Sequence, residues 1–274
     1  MYKLKPFISN KIWGYEQWIF STLDVGKSVI EDYEFGSKDV LLKDIIGDYP
    51  LLIKIIQANE TLSVQVHPDD DYAKIYENSL GKTECWYILD ATQDASIICG
   101  LKSEYTKDDL KKAIQTNSLE SYMQYLPVSK GDFVFIPAGT VHAINGGLRL
   151  LEVQEASDIT YRLYDWGRGR ELHVEKGLKV IKNIVCNIEK KFTGSFDCEY
   201  FSLEVLSFEN NENSVCSITD TKDFILFNLS GNGVLYSDEK KEIKCSPETT
   251  IFCCKNEKIN VKGSCSFLKI VSNK

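Results

Sequence analysis

Residues 132–154 read DFVFIPAGTVHAINGGLRLLEVQ. Two β-rich runs, DFVFIP (132–137) and LRLLEVQ (148–154), flank a turn at Pro137-Ala138-Gly139-Thr140 that delivers His142 onto a strand edge. The same pattern recurs outward along the chain. LLIKIIQA (51–58), CWYIL (85–89), ASIICGL (95–101) and ITYRLYDW (159–166) are short strand-like runs punctuated by Gly, Pro, Asn and Asp. Such spacing predicts an all-β sandwich or barrel.

Helical interruptions are few. Thr106 and Asp109 cap an amphipathic pattern, Leu110-Ala113-Ile114, that predicts a helix to about Leu119. DYAKIYEN after Pro68 and VEKGLKVIKN after His173 predict two more short helices. Beyond residue 195 the runs EYFSLEVLSF, DFILFNLSG, GVLYS, TTIFCC and CSFLKIV remain strand-like, with SGNG (230–233) as a turn signal. No histidine lies beyond His173. The prediction is two β domains, 1–192 carrying the functional site and 193–274 smaller and structural, divided near KKFTG (190–194).

Composition narrows the function. A formal charge of −8 over 274 residues argues against a nucleic-acid binder. No apolar run is long enough to span a bilayer. The amino-terminal MYKLKPFISNKIWGYEQW has no apolar core before a small-residue cleavage site, so the expectation is a cytoplasmic protein. Its nine cysteines are then expected as reduced thiols, most of them small buried hydrophobes.

The chain has only three histidines, and two sit in unusual company. In SVQVHPDD (63–70), Gln65 and His67 are spaced i, i+2 and face one way on a strand. In GKTECWYIL (81–89), Lys82 and Glu84 share that spacing, and Cys85 faces oppositely. Taken singly, each residue has a plain reading: a hydrogen-bonded histidine at a strand end, a solvated glutamate at a strand edge. Taken together, Gln65, His67, Glu84 and His142 predict one divalent cation with an open position, best suited to Zn²⁺. His173, before a predicted helix, reads as structural or as a supporting residue.

These motifs, in order, closely resemble type I mannose-6-phosphate isomerase, a zinc-dependent member of the cupin superfamily. The resemblance runs from LSVQVHPDDDYA through GKTECWYIL, PVSKGDFVFIPAGTVHAINGG and LLEVQEASDITYRLYDWGR to RELHVEKGL, and KPFISNKIWG looks like the family's opening. It covers residues 50–180. The chain departs from the compact bacterial pattern at YDWGR, where YDYDR is common, and at QEASD, where QQSSD is commoner. The resemblance implies two cupin-type jelly-roll barrels, the second degenerate. It also implies one Zn²⁺ per chain at Gln65, His67, Glu84 and His142, and interconversion of D-mannose 6-phosphate and D-fructose 6-phosphate.

Matched residue by residue, Arg162 corresponds to the family's catalytic arginine, Glu152 to an acidic pocket residue and Lys82 to a lysine beside the glutamate ligand. Moving a proton between C2 and C1 through a cis-enediol needs positive charge near O1 and O2 and a base within hydrogen-bond reach. The expectation gives Arg162 the enediolate charge. Proton transfer falls to Glu152 or a metal-held water with Lys82 assisting, burial raising the Glu152 pKa. Lys82, Arg162, Ser63 and Trp13 are the expected substrate contacts, whereas Arg149, Arg168 and Arg170 read as surface charge. The partner is a small sugar phosphate, with no nucleic acid and no membrane; oligomeric state stays open. Two other readings stand beside this one: a non-catalytic cupin that binds or senses a sugar phosphate, and a cupin dioxygenase, which would favour more histidine and iron.

Overall fold

The computed structural model describes residues 1–35, 38–102, 105–209, 216–237 and 242–274. The chain is mostly β. The amino-terminal stretch gives β1 (Tyr2–Lys5), β2 (Phe7–Lys11), β3 (Gly14–Phe20), β4 (Val29–Phe35) and β5 (Lys38–Leu41). A short helix that sequence reading did not anticipate, α1 (Leu42–Ile46), precedes β6 (Leu51–Ala58) and β7 (Val64–Val66). Helix α2 (Asp70–Tyr76) follows Pro68, and the Asp69 carboxylate caps it by accepting the Tyr72 N–H at 3.0 Å. Then come β8 (Glu84–Ala91) and β9 (Ser96–Leu101).

Helix α3 (Lys107–Gln115) carries the predicted capping box, Thr106 with Asp109. It stops short of Leu119. The Thr116 N–H turns back to the Ile114 and Lys112 carbonyls, Asn117 takes a φ of 55°, and residues 119–122 form a separate 3-10 turn. Five strands follow: β10 (Met123–Pro127), β11 (Phe133–Ile136), β12 (His142–Ile144), β13 (Leu148–Glu155) and β14 (Tyr161–Tyr164). Helix α4 (Val174–Val180) and β15 (Ile188–Glu189) complete this region.

The carboxyl-terminal strands are β16 (Ser195–Asp197), β17 (Phe201–Phe208), β18 (Cys216–Ile218), β19 (Phe224–Ser237), β20 (Glu242–Cys245), β21 (Thr250–Cys253) and β22 (Ile259–Ser272). SGNG is not a turn, contrary to the sequence expectation. It lies inside β19, which runs on past it beside β22 with a register shift between Asn228 and Ser230. Gly231, at a φ of +76°, passes so close to β22 that a Cβ there would lie 2.1 Å from the Ser264 carbonyl oxygen. The glycines allow a bulge and close backbone approach rather than a reversal.

Two compact units result. One comprises Met1–Phe7, Trp18–Leu51 and Thr193–Lys274; the other comprises Ile8–Gln17 and Leu52–Phe192. The first is built on a ten-stranded sheet with the path β16-β17-β22-β19-β21-β1-β4-β5, so the amino-terminal strands β1, β4 and β5 join the carboxyl-terminal ones in one sheet. Its buried core includes Met1, Phe224, Leu226, Ile251 and Phe267.

The other unit carries a five-stranded sheet, β10-β9-β12-β7-β14, and a seven-stranded sheet, β15-β11-β8-β13-β6-β3-β2. Side chains of both sheets share one core: Ile97, Cys99 and Ile144 from the five-stranded sheet, and Ile56, Trp86, Ile88, Val134 and Leu150 from the seven-stranded one. The outer face of the five-stranded sheet is covered by a second core with α3 and α4, including Leu110, Ile114 and Leu178. Cys99 and Cys186 are joined by a disulfide with Cα atoms 5.8 Å apart, which corrects the expectation of uniformly reduced thiols. Their separation of 87 residues leaves no local pattern from which the pairing could be read.

Candidate metal centre

Strand alternation selects the side chains that meet. On the five-stranded sheet Val64, Val66, Ile98, Val141, Ala143, Tyr161 and Leu163 belong to the outer core. The intervening positions Gln65, Cys99, His142 and Arg162 therefore face the other way, toward the core shared by the two sheets. Gln65 of β7 stands opposite His142 of β12 on one side and Arg162 of β14 on the other. On the seven-stranded sheet Ile56, Trp86, Ile88 and Leu150 mark the inner face. Two residues along the same strands, Lys54, Glu84 and Glu152 continue that face, and the inner layer changes from apolar to charged.

Here the metal-type side chains converge. Ligand atoms of His67, Glu84 and His142 lie within 4.8 Å of one another, and all three residues are buried. Glu84 Oε1 is 3.5 Å from His142 Nε2, and Glu84 Oε2 is 3.7 Å from His67 Nε2. Gln65 Nε2 lies 3.3 Å from His142 Nε2, so its terminal amide joins the group. Each imidazole is oriented from behind. His67 Nδ1 donates to the Ile159 carbonyl at 2.7 Å, and His142 Nδ1 donates to the Thr140 carbonyl at 2.9 Å. That fixes the tautomer and turns both Nε2 lone pairs to the centre.

Two further features test the fit to a cation. Glu84 Oε1 is buried with no hydrogen-bond partner among the described residues. The Lys82 ammonium donates to His67 Nε2 at 3.0 Å and also to Glu84 Oε2, so a positive group already sits against two of the ligand atoms. Two neutral imidazoles and a carboxylate form a donor set suited to a borderline divalent ion. Burial, then Lys82, pushes His142 down to about 4 and His67 well below its usual value. Both are thus neutral at neutral pH, which is the metal-binding form.

Behind the centre lies a buried network of charges. Glu152 Oε1 accepts from Lys54 Nζ at 3.1 Å, its Oε2 accepts from Trp86 Nε1 at 3.0 Å, and Lys82 Nζ stands 3.9 Å away. Lys54 also donates to Gln154 Oε1 at 2.7 Å. Burial works to raise the Glu152 carboxyl, but Lys82 and Lys54 outweigh it and hold the group down at about 2. The expected upward shift of Glu152 is therefore reversed, because Lys82 together with Lys54, which sequence reading overlooked, outweighs burial. A lone lysine inside the apolar run LLIKIIQA was the available signal, since a buried ammonium requires a partner. Glu84 moves the other way, up to about 7, through burial and then the nearby Glu152.

The remaining sequence-selected residues are spread more widely. Arg162 Nη1 donates to the Glu171 carbonyl at 2.8 Å, and its Nε has no acceptor among the described residues. Ser63 is buried two residues before Gln65. Trp13 packs in the apolar core with Ile56, Ala58 and Leu62. His173 is structural: its Nδ1 accepts the Arg162 N–H at 3.1 Å, and its own N–H returns to the Arg162 carbonyl at 2.7 Å. Arg170 grips the buried Asp165 through Nε at 2.8 Å and Nη2 at 2.5 Å, and Arg149 reaches Tyr15 and Gln57. These arginines are engaged rather than free surface charge.

The chain is similar to known proteins. Residues 21–94 match the family model "Phosphomannose isomerase type I, catalytic domain". The mannose-6-phosphate isomerase ManA of Bacillus subtilis (strain 168) is 35% identical, over 86% of this chain and 87% of that protein. The probable mannose-6-phosphate isomerase GmuF of the same organism is 47% identical over 65% of this chain and 67% of its own. Among solved structures, the mannose 6-phosphate isomerase from Bacillus subtilis superposes with a TM-score of 0.85 at 26% identity, covering 98% of both chains.

Proposed function

We propose, because the chain belongs to the type I phosphomannose isomerase family and is an isomerase of mannose 6-phosphate, that it interconverts this aldose with D-fructose 6-phosphate at one zinc ion held by Gln65, His67, Glu84 and His142. The observation that carries the proposal is the convergence of two buried, pre-oriented Nε2 atoms on a glutamate whose Oε1 has no hydrogen-bond partner among the described residues. When bound, zinc would supply Lewis acidity toward the sugar's C1 and C2 oxygens. In fold, we read the two units as cupin-type jelly rolls, a reading supported by the likeness to the Bacillus subtilis enzyme.

The protein's own groups divide the remaining work. Arg162, on the strand beside Gln65, has a guanidinium N–H without an acceptor among the described residues and offers it to the charge that develops on the enediol oxygens. Glu152 takes part as an ionised carboxylate. Its oxygens are already engaged by Lys54 and Trp86, and a carboxyl held at about 2 is a weak proton acceptor. Its role is to anchor Lys54 and Lys82. Lys82, whose ammonium lies at the centre, assists the proton transfer between C2 and C1 by stabilising the negative charge that develops on the sugar's oxygens. Ser63, buried beside Gln65, offers a hydroxyl to the substrate.

The test is direct. Metal-replete protein is incubated with mannose 6-phosphate and fructose 6-phosphate is followed, beside a chelated sample and Arg162→Ala. Turnover lost on chelation and restored by zinc supports the proposal. A fully zinc-loaded wild type without turnover would replace it with the sugar-phosphate-binding reading.

A further inference from the structure

The turn that carries Lys82 and Glu84 into the centre is held from both sides by carboxyl groups. The three amides before β8 each have an acceptor. Gly81 N–H donates to Asp70 Oδ1 at 2.8 Å, Lys82 N–H to the Pro68 carbonyl at 3.0 Å, and Thr83 N–H to Glu155 Oε1 at 2.7 Å. The Thr83 hydroxyl makes a second bond to Glu155, and the Glu155 N–H returns to the Thr83 carbonyl at 3.1 Å.

The Glu155 carboxyl is also a neighbour of the Asp70 carboxyl, and the two repel when both are charged. Two neighbouring carboxylates offer only acceptors, so a proton on one of them relieves the repulsion. Glu155 is 3% exposed, and the charged group facing it is Asp70 at the start of α2. The turn brings Thr83, which is uncharged, and beyond β13 the Ser157 N–H donates to the Glu155 carbonyl at 2.7 Å. Burial, opposed by the Thr83 N–H and reinforced by Asp70, pushes Glu155 up to about 8. At neutral pH Glu155 thus keeps its proton while accepting from Thr83.

We propose that Glu155 and Asp70 are positioning residues for the isomerisation: by accepting the Thr83 and Gly81 amides they clamp the 81–83 turn and hold Lys82 and Glu84 in place, and loss of the Glu155 proton to alkaline solvent sets two carboxylates against each other, loosens the clamp and lowers turnover. The proposal rests on the reading of Lys82 and Glu84 as site residues. Its stability consequence does not. An ordinary glutamate releases its proton near 4.5, whereas folded Glu155 keeps it to about 8. Between those values the folded state binds the extra proton, so stability falls as pH rises through the window.

The experiment measures kcat and KM of the zinc-loaded protein from pH 6 to 9.5, and thermal midpoints of the same samples from pH 5 to 9. Wild type is compared with Glu155→Gln, Glu155→Ala and Asp70→Asn. Wild-type kcat should fall roughly tenfold from pH 7 to pH 9, with little change in KM, because one pH unit above the titration leaves about a tenth of the clamp protonated. Glu155→Gln and Asp70→Asn cannot form a pair of facing carboxylates, so both should lose this alkaline limb. Glu155→Gln should also restore most of the turnover lost in Glu155→Ala. Wild-type midpoints should decline from pH 5 to 8 relative to Glu155→Gln. An unchanged alkaline limb and an unchanged midpoint slope in Glu155→Gln would overturn the clamp. If even wild type failed to isomerise the sugar, the functional reading would fall, and the midpoint comparison would still decide the clamp.

Discussion

Glu84 Oε1 lies 3.5 Å from His142 Nε2, buried and without a hydrogen-bond partner among the described residues. A buried carboxylate oxygen in that state normally has an explanation, and a cation shared with the imidazole is the simplest one. Replacing a ligand should therefore cost more than the roughly 10–100-fold in metal affinity that loss of an orienting partner costs. His67→Ala and His142→Ala should each bind zinc more than about 100-fold more weakly in a chelator competition. Either variant holding one zinc per chain after dialysis would remove that residue from the ligand set.

Arg162 contributes a donor rather than a ligand. Arg162→Ala should keep its zinc and its fold while kcat drops about 10²–10³-fold, the loss typical of removing one transition-state hydrogen-bond donor. Arg162→Lys should not recover the rate, since an ammonium lacks the planar, forked geometry. Metal analysis run beside the kinetics separates the outcomes. Coordinated loss of metal and rate would mean that Arg162 shapes the centre instead.

Lys54 and Glu152 form an ion pair at 3.1 Å with side chains 8% and 4% exposed. Deleting one member of such a pair strands the other. Lys54→Met should destabilise the protein by about 3–5 kcal/mol, and Lys54→Met with Glu152→Leu should recover part of that loss. Urea unfolding gives both values. A single-variant cost within about 1 kcal/mol would show that Glu152 stays solvated or paired without Lys54.

These contrasts show what was legible in the sequence. The strand runs, the capping box at Thr106 and the shared face of Gln65 and His67 follow from local spacing, and each is present. The reading failed where the deciding partner was remote. Lys54 meets Glu152 across 98 residues, and Glu155 meets Thr83 across 72. No periodicity encodes such pairs. The direction of the Glu152 shift was missed because burial was weighed without the two ammonium groups, Lys82 and the remote Lys54, that outweigh it. SGNG misled for a related reason: its glycines answer the close approach of β22, some thirty residues further along.

The Cys99–Cys186 bridge belongs to the same class of long-range contact. Cys99 stands opposite His142 on adjacent strands, so the bridge ties the segment after α4 to the sheet that carries the site. Breaking it should cost roughly 2–4 kcal/mol, mostly by freeing the unfolded chain. Unfolding with and without reductant measures this, and the unfolded, unreduced protein should titrate seven thiols. Nine reactive thiols in a sample never exposed to reductant would eliminate the bridge.

Gly81 shows how tightly the turn before β8 is packed. A Cβ built there would lie 2.5 Å from Asp70 N and 2.6 Å from the Asp69 carbonyl carbon, both rigid backbone at the start of α2. An alanine must push the turn away from the helix, weakening the Gly81 N–H bond to Asp70 and shifting Lys82 and Glu84 with it. Gly81→Ala should thus cost about 1–3 kcal/mol in stability, the usual range for forced overpacking. Zinc affinity and kcat should fall together, since the turn carries a ligand as well as Lys82. Gly194→Ala, where the added carbon meets nothing within 4 Å, serves as the control. If the two variants behaved alike in unfolding and in zinc titration, close packing of the turn against α2 would not be what holds Glu84 in register.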